Sequence, residues 1–151
     1  TCHGAAMIKV SILGASGFVG AELLRLCALH PALRPARLFG DSQAGAALEE
    51  KGISVEVINI HTIKPLDEEA ILASIRKTGC AVTAEEHNII GGLGDAIAQV
   101  AAKNHPIPIE YVGTKDTFGE SGTPDQLLKK YGLDIPDIIA AAEKVMARKK
   151  G

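Results

Sequence analysis

No run of roughly 18 consecutive apolar residues, the length a membrane-spanning helix requires, occurs anywhere in this sequence. The N-terminus also lacks the charged and apolar regions of a signal peptide, so neither membrane insertion nor export is expected. Basic clusters are missing too. The formal charge is -2 and the longest basic run is Arg148, Lys149, Lys150, which gives nucleic acid no electrostatic footprint. The three cysteines, Cys2, Cys27 and Cys80, are odd in number and show no CxxC spacing, which argues against a disulfide framework. Cys27 and Cys80 fall in apolar segments, where a thiol packs as a small hydrophobe, and a reduced, cytoplasmic setting is expected.

What is present is the balance of a globular domain. Hydrophobic residues make up 46% and charged residues 23% of 151 residues, enough to build one packed core. A single domain is expected over residues 7–151, with Thr1 to Ala6 read as a translated linker ahead of Met7.

Strands alternate with helices along the chain. Ile8 to Leu13 is a short apolar run closed by Gly14, and Gly17 to Leu29 carries Val19, Leu23, Leu24, Leu26 and Cys27 at helical spacing. Pro31 and Pro35 end that helix; Ala36 to Phe39 is a candidate strand and Ala44 to Lys51 a candidate helix stopped by Gly52. Ile53 to Ile60 is rich in β-branched residues and reads as a buried strand. Asp67 to Thr78 reads as a helix, with acids in its first turn, bases in its last and Gly79 as its stop. Further strands are expected at Cys80 to Ala84 and Ile107 to Val112, with Pro108 at a strand start or on an edge. Ala96 to Lys103, Pro124 to Tyr131 and Asp134 to Lys149 read as helices, the last facing inward with Ile138, Ile139, Ala142, Val145 and Met146. Thr114 to Thr123 is a loop. The alternation predicts an α/β fold, a three-layer α/β/α sandwich around a largely parallel sheet.

Two stretches invite a ligand. Gly14-Ala15-Ser16-Gly17-Phe18-Val19-Gly20 follows a strand and opens a helix, the setting in which glycines allow a dinucleotide phosphate to approach helix amides. Asp41, about twenty residues on, stands where a ribose-binding acid would sit. The alternative is that these glycines only permit a tight strand-to-helix turn. The second stretch is Glu85, Glu86, His87 and Asn88, just ahead of Gly91, Gly92 and Gly94. These residues either present an acid, an imidazole and amide donors to an anion, or tie down the loop while the glycines let the next helix pack closely. A metal site from His61, Glu85, Glu86 and His87 is not favoured, since no short helical spacing such as HExxH joins them. Ser121 in Gly119-Glu120-Ser121-Gly122 lacks the glycine spacing of a nucleophile elbow and reads as a loop or capping residue.

The segments GISVEVINIHTIKPLDEEAI, VTAEEHNIIGGLGDAIAQV and VGTKDTFGESGTPDQLLKKYGL, in that order from Gly52, resemble the C-terminal domain of transketolase and its split-subunit relatives. The resemblance covers about residues 45–150. It implies a domain whose role is packing and subunit organisation, as a homodimer or with transketolase catalytic domains. Thiamine diphosphate and magnesium are held by other domains in that family, so no cofactor is expected on this chain alone. Within the third motif, Asp116, Phe118 and Glu120 share a loop in which Phe118 is expected to anchor the loop against the core or a partner, the core being the favoured choice.

The stretch from Met7 to Gly45, with GASGFVGAELLRL, HP and LFGDSQAG, resembles the start of N-acetyl-gamma-glutamyl-phosphate reductase, an NADP-dependent enzyme. That resemblance implies a reductase-type βα unit in place of the first unit of the transketolase domain, a chimera joined between Ser42 and Leu48. It leaves Gly14, Ser16, Gly17, Phe18, Val19 and Gly20 as a vestigial NADP turn. It also predicts that Ile8 to Leu13 pairs in one sheet with Ile53 to Ile60. Three functions remain open: a non-catalytic packing domain, a subunit that completes a thiamine-dependent enzyme, and a weak NADP-binding module.

Overall fold

The computed structural model describes residues 9–15 and 53–149. The helix expected over Gly17 to Leu29, the strand at Ala36 to Phe39, Asp41, the helix at Ala44 to Lys51 and the junction near Ser42 all lie outside the described residues.

Among the described residues four parallel strands form the sheet, in spatial order β2-β1-β3-β4: β1 (Lys9–Ala15), β2 (Ser54–Asn59), β3 (Ala81–Asn88) and β4 (Ile109–Thr114). β1 lies between β2 and β3, with Ile12 opposite Val57 on one side and Val82 on the other. The expected pairing of the N-terminal strand with Ile53 to Ile60 is therefore found.

The period of two along β1 and β3 divides the core into two layers. Val10, Ile12, Val82, Ala84 and Val112 face one way, onto Ile138, Ala142 and Val145 of α4 (Ile135–Arg148). Leu13, Ile58 and Ala81 face the other way, onto Ile71 and Ile75 of α1 (Glu68–Thr78) and Leu93, Ile97 and Val100 of α2 (Leu93–Asn104). Helices on both faces of a parallel sheet make the three-layer α/β/α sandwich that the strand and helix alternation predicts. Ile138, Ala142 and Val145 are buried, and Ile139 and Met146 are partly so, matching the inward face expected of the last helix.

Local signals account for the helix ends. Asp67 is the N-cap of α1, its Oδ1 accepting from the Ala70 amide at 3.0 Å, and Gly79 closes the helix at φ 72°. α3 (Pro124–Tyr131) starts with a capping box formed by Thr123 and Gln126 and stops at Gly132, φ 69°. Pro108 falls just before β4, and its carbonyl accepts from the Ala81 amide at 3.1 Å.

One polar knot ties the N-terminal strand to the rest. Ser11 Oγ lies 2.6 Å from Ser74 Oγ and 2.7 Å from Thr78 Oγ1, all three residues being buried between β1 and α1. Ser74 Oγ also donates to Glu56 Oε2 at 3.2 Å, and Thr78 Oγ1 donates to carbonyls of its own turn. Each hydroxyl is thus bonded, which removes the cost of burying it.

Several expected boundaries move, among them β4, which runs Ile109–Thr114 rather than Ile107 to Val112. β3 continues to Asn88 rather than ending at Ala84, because the backbone keeps pairing across a bulge after the hydrophobic run stops: Asn88 lies opposite Thr114, and the Ile89 amide donates to the Thr114 carbonyl. α2 begins at Leu93 rather than Ala96, so Gly94 lies inside the helix.

Candidate functional site

The polar residues of interest gather on the loops that leave the carboxyl ends of β3 and β4, the rim where open α/β sheets collect ligand groups. Of the residues singled out above, Glu86, His87 and Asn88 end β3, Gly91 and Gly92 lie on the turn that follows, Gly94 lies in the first turn of α2, and Asp116, Phe118, Glu120 and Ser121 lie on the second loop. Gly14 is buried in β1, whereas Ser16, Gly17, Phe18, Val19 and Gly20 lie outside the described residues.

Glu85 dominates the first loop from below. It is 6% exposed, and its carboxylate takes both leading amides of α2, from Leu93 at 2.7 Å and from Gly94 at 2.9 Å. The chain thereby places its own anion at the positive end of the helix. Gly91 N donates to Asp95 Oδ2 at 2.6 Å, so a second acid of the chain holds the turn. Gly92 is required by proximity: a Cβ there would stand 2.6 Å from the Asn88 carbonyl oxygen and closer still to Glu85 Oε2. Gly94 is required by packing, since a Cβ would collide with the Tyr111 ring and lie 3.0 Å from Thr83 Oγ1. Burial, followed by the charge of Asp95, raises the Tyr111 phenol above its ordinary value and keeps it protonated.

Asn88 spends both ends of its amide within the rim. Its Oδ1 accepts from Ile90 N at 2.9 Å, and its Nδ2 donates to Asp116 Oδ1 at 3.2 Å, linking the two loops. His87 is exposed, with Nδ1 3.0 Å from the Asn88 carbonyl oxygen and 4.0 Å from Glu85 Oε2. Glu86 points to solvent. Among the described residues no group of three or more His, Cys, Asp or Glu side chains has the arrangement to hold a metal ion, and His61 is not drawn to Glu85, Glu86 and His87. Cys80 is buried, and burial, only partly offset by the Lys149 charge, raises its thiol above the usual value; it packs as a core residue.

The second loop corrects one expectation. Phe118 does not anchor in the core: it is 99% exposed. The bonds that fix this loop lie in its backbone and at its flanks, so the ring contributes nothing to the core. Tyr131 Oη accepts from Glu120 N at 3.0 Å and donates to the Phe118 carbonyl at 3.2 Å, and Lys130 pairs with Glu120. Asp116 adopts φ 49°, a left-handed conformation that its bond from Asn88 helps to hold. Ser121 is exposed on the same loop.

Two of these roles escaped the sequence. Glu85 caps a helix that starts eight residues later, and no local capping pattern spans that distance. The hold of Tyr131 on the Phe118 loop likewise joins residues 13 apart.

A magnesium-bound diphosphate, the group that the transketolase resemblance brings to mind, does not fit this rim. The α2 amides that would meet its anionic oxygens already bond the Glu85 carboxylate, and among the described residues no acidic set faces the same space. No helix of the described residues is long and apolar enough to cross a membrane.

Residues 42–138 match the family described as the C-terminal domain of transketolase. The chain is 49% identical over 106 residues to a 6-deoxy-6-sulfo-D-fructose transketolase subunit of Clostridium sp. (strain MSTE9), covering 70% of this chain and 33% of that protein. It is 46% identical over 109 residues to a putative transketolase C-terminal section of Methanocaldococcus jannaschii, again covering 33% of the relative. Among solved structures, a split-gene transketolase described as an inactive β4 tetramer superposes with a TM-score of 0.76 at 39% identity, over 96% of this chain and 41% of that one. The chain thus spans about a third of the length of these two curated relatives, and with its α/β sandwich it belongs to the transketolase C-terminal domain family.

Proposed function

We propose that this chain is a non-catalytic, interaction-forming domain of transketolase type, which packs against copies of itself and against chains that carry the catalytic domains. The observation that carries this reading is the contrast on the rim: Glu85 already occupies the helix amides, while Phe118 is fully presented to solvent. A group that closes its own anion site and offers an aromatic ring is built for contact rather than for chemistry. The relatives support the same direction, since one is named a transketolase subunit and another a C-terminal section.

In this reading the chain alone holds no cofactor, and thiamine diphosphate and magnesium belong to the partner chains. Residues 7–45 are a reductase-type unit standing in for the family's own first strand and helix. The position of β1 between β2 and β3 supports that substitution. Calorimetric titration with NADP is expected to give no heat; a saturable signal would restore the nucleotide reading of the glycine turn.

A second reading, in which the chain completes a thiamine-dependent transketolase, is favoured by the subunit names of the relatives. The test is mixing: light scattering on the chain alone and with a transketolase that lacks its C-terminal domain, followed by a ketol-transfer assay on the mixture. Self-association or co-elution without activity supports the packing role, and recovered activity supports completion. A strictly monomeric chain that co-elutes with nothing defeats both.

A further inference from the structure

We infer that the buried hydroxyls of Ser11, Ser74 and Thr78 form a register lock, which admits β1 between β2 and β3 in one alignment only. This goes beyond the packing role proposed above, since it concerns how the fold sets its own rim and depends on no partner. β1 is enclosed on both edges, and Val10, Ile12 and Leu13 are fully buried on its two faces. In a strand that is apolar on both sides, a slipped alignment exchanges one apolar residue for another, so burial alone ranks the alignments poorly. Ser11 is the exception, a polar residue at 0% exposure within that run.

The neighbours of Ser11 make its position specific for a small donor. Ser74 and Thr78 stand one turn apart on α1 and meet Ser11 Oγ at 2.6 and 2.7 Å. The Ser74 hydroxyl donates to Glu56 Oε2 at 3.2 Å, and the Thr78 hydroxyl donates to the Ser74 and Cys80 carbonyls at 3.0 and 3.1 Å. Both protons are thereby committed, which leaves Ser11 to supply the donor for both oxygens. The Cys80 carbonyl also accepts the Ser11 amide, at 3.2 Å, so one atom ties the backbone alignment to the side-chain triad. A shift of β1 by one residue would carry the Ser11 hydroxyl to the other face, towards Val82, Ile138 and Val145. A shift by two would set it towards Ile58 and Ile71, or bring Leu13 against the two hydroxyls. Each displacement parts the donor from its acceptors inside the core, a penalty that the native alignment avoids. The alignment matters at the rim, because it puts Gly14 opposite Ala84 and Ala15 opposite Glu85.

The test uses the whole 151-residue chain, isotope-labelled for NMR, as wild type, as Ser11→Ala and as Ser74→Ala combined with Thr78→Val. Wild type is expected to give one set of amide signals for β1, β2 and β3, with through-space contacts from Ile12 to Val57 and Val82. Ser11→Ala removes the donor and the double variant removes the acceptors. Each is expected to show a second set of strand signals amounting to roughly a tenth of the molecules or more, with contacts displaced from the Ile12 pairing. Thermal melting separates selection from mere stability. A lower Tm with a single, undisplaced set in both variants makes the triad a stabilising contact only and overturns the inference, as does a second set in wild type. Should one variant fail to fold, the other decides. Loss of the folded state in both also overturns the inference, since a lock that only selects among alignments leaves the displaced ones folded.

Discussion

Two loops leave neighbouring strands at the same edge of the sheet and have opposite fates. After β3 the chain turns inward: Glu85 reaches under the turn to hold the first amides of α2, and Gly92 and Gly94 exist to let it and Tyr111 come close. After β4 the chain turns outward: Phe118 is presented to solvent while Tyr131 and Asn88 fix the loop around it. The sequences are similarly rich in glycine and acid, so composition does not distinguish them. The difference is where the acid goes. A carboxylate that enters the helix N-terminus closes a site, whereas one that pairs with a lysine at the surface leaves its loop open to a partner.

This contrast is most directly broken at Gly92. Replacing it with Ala forces a methyl against the Asn88 carbonyl and the Glu85 carboxylate, where the backbone on one side cannot yield. A destabilisation of about 3 kcal/mol, or a fall of roughly 10 °C in Tm, is expected from overpacking and loss of the cap together. Thermal denaturation followed by circular dichroism measures it. A Tm unchanged within 2 °C, a threshold of about 0.5–1 kcal/mol, would show that the inward loop has slack and that Glu85 is not confined there.

Removing the acid itself comes next in size. Glu85→Ala strips partners from the Leu93 and Gly94 amides, in residues buried at the start of α2. About 2 kcal/mol is expected to be lost, the cost of leaving buried donors unmet. Chemical denaturation gives the number, and Glu85→Gln, which keeps an acceptor oxygen, should recover part of it. Added phosphate or sulfate sharpens the comparison: if the vacated amides are an anion site in waiting, either ion will stabilise Glu85→Ala more than wild type.

How far the sequence reaches is visible in the same two loops. The strands, the helix stops at Gly79 and Gly132, and the inward face of α4 follow from periodicity and local capping, which act over a few residues. The extension of β3 to Asn88 did not, because its last residues are polar and owe their strand geometry to pairing with β4 rather than to a buried face. The position of Glu85 was legible as part of a polar cluster, but its role was not, since a strand residue capping the following helix leaves no fixed spacing. The favoured core placement of Phe118 failed for a related reason. A lone large apolar residue in a loop is expected to find the core, and only the Tyr131 bonds, made from the next helix, reveal a loop held open.

On the outward loop the effects on stability should be smaller. Tyr131→Phe removes the hydroxyl that spans Phe118 and Glu120, at an exposed site where water replaces both bonds. A loss of about 0.5–1 kcal/mol is expected, typical of one net hydrogen-bonding group. The more telling measurement is amide exchange at residues 115–123, which should accelerate while the β3 loop stays protected. Equal acceleration in both would mean that the loops form one unit joined through Asn88 and Asp116, and the contrast between them would be one of appearance only.

The weakest perturbation is a control at the other end of β4. Glu110 is paired with both Lys144 and Arg148 of α4, away from either loop. Burial pushes its carboxyl up, but the bonds and charges of the two bases outweigh that and hold it below its ordinary value of 4.5. A carboxylate whose acid constant is lowered on folding stabilises the fold above the unfolded value, and that contribution is lost as pH falls from 4.5 through the lower folded value. Glu110→Gln should therefore be slightly less stable than wild type at pH 7, with the gap closing in acid. Denaturation midpoints measured between neutral and acid pH follow it. Because the pair acts through α4 and not through the rim, the variant should leave sedimentation behaviour and exchange in both loops untouched. A change in either would tie the outward loop to the α4 face of the sheet, and Phe118 could then no longer be treated as a feature of its own loop.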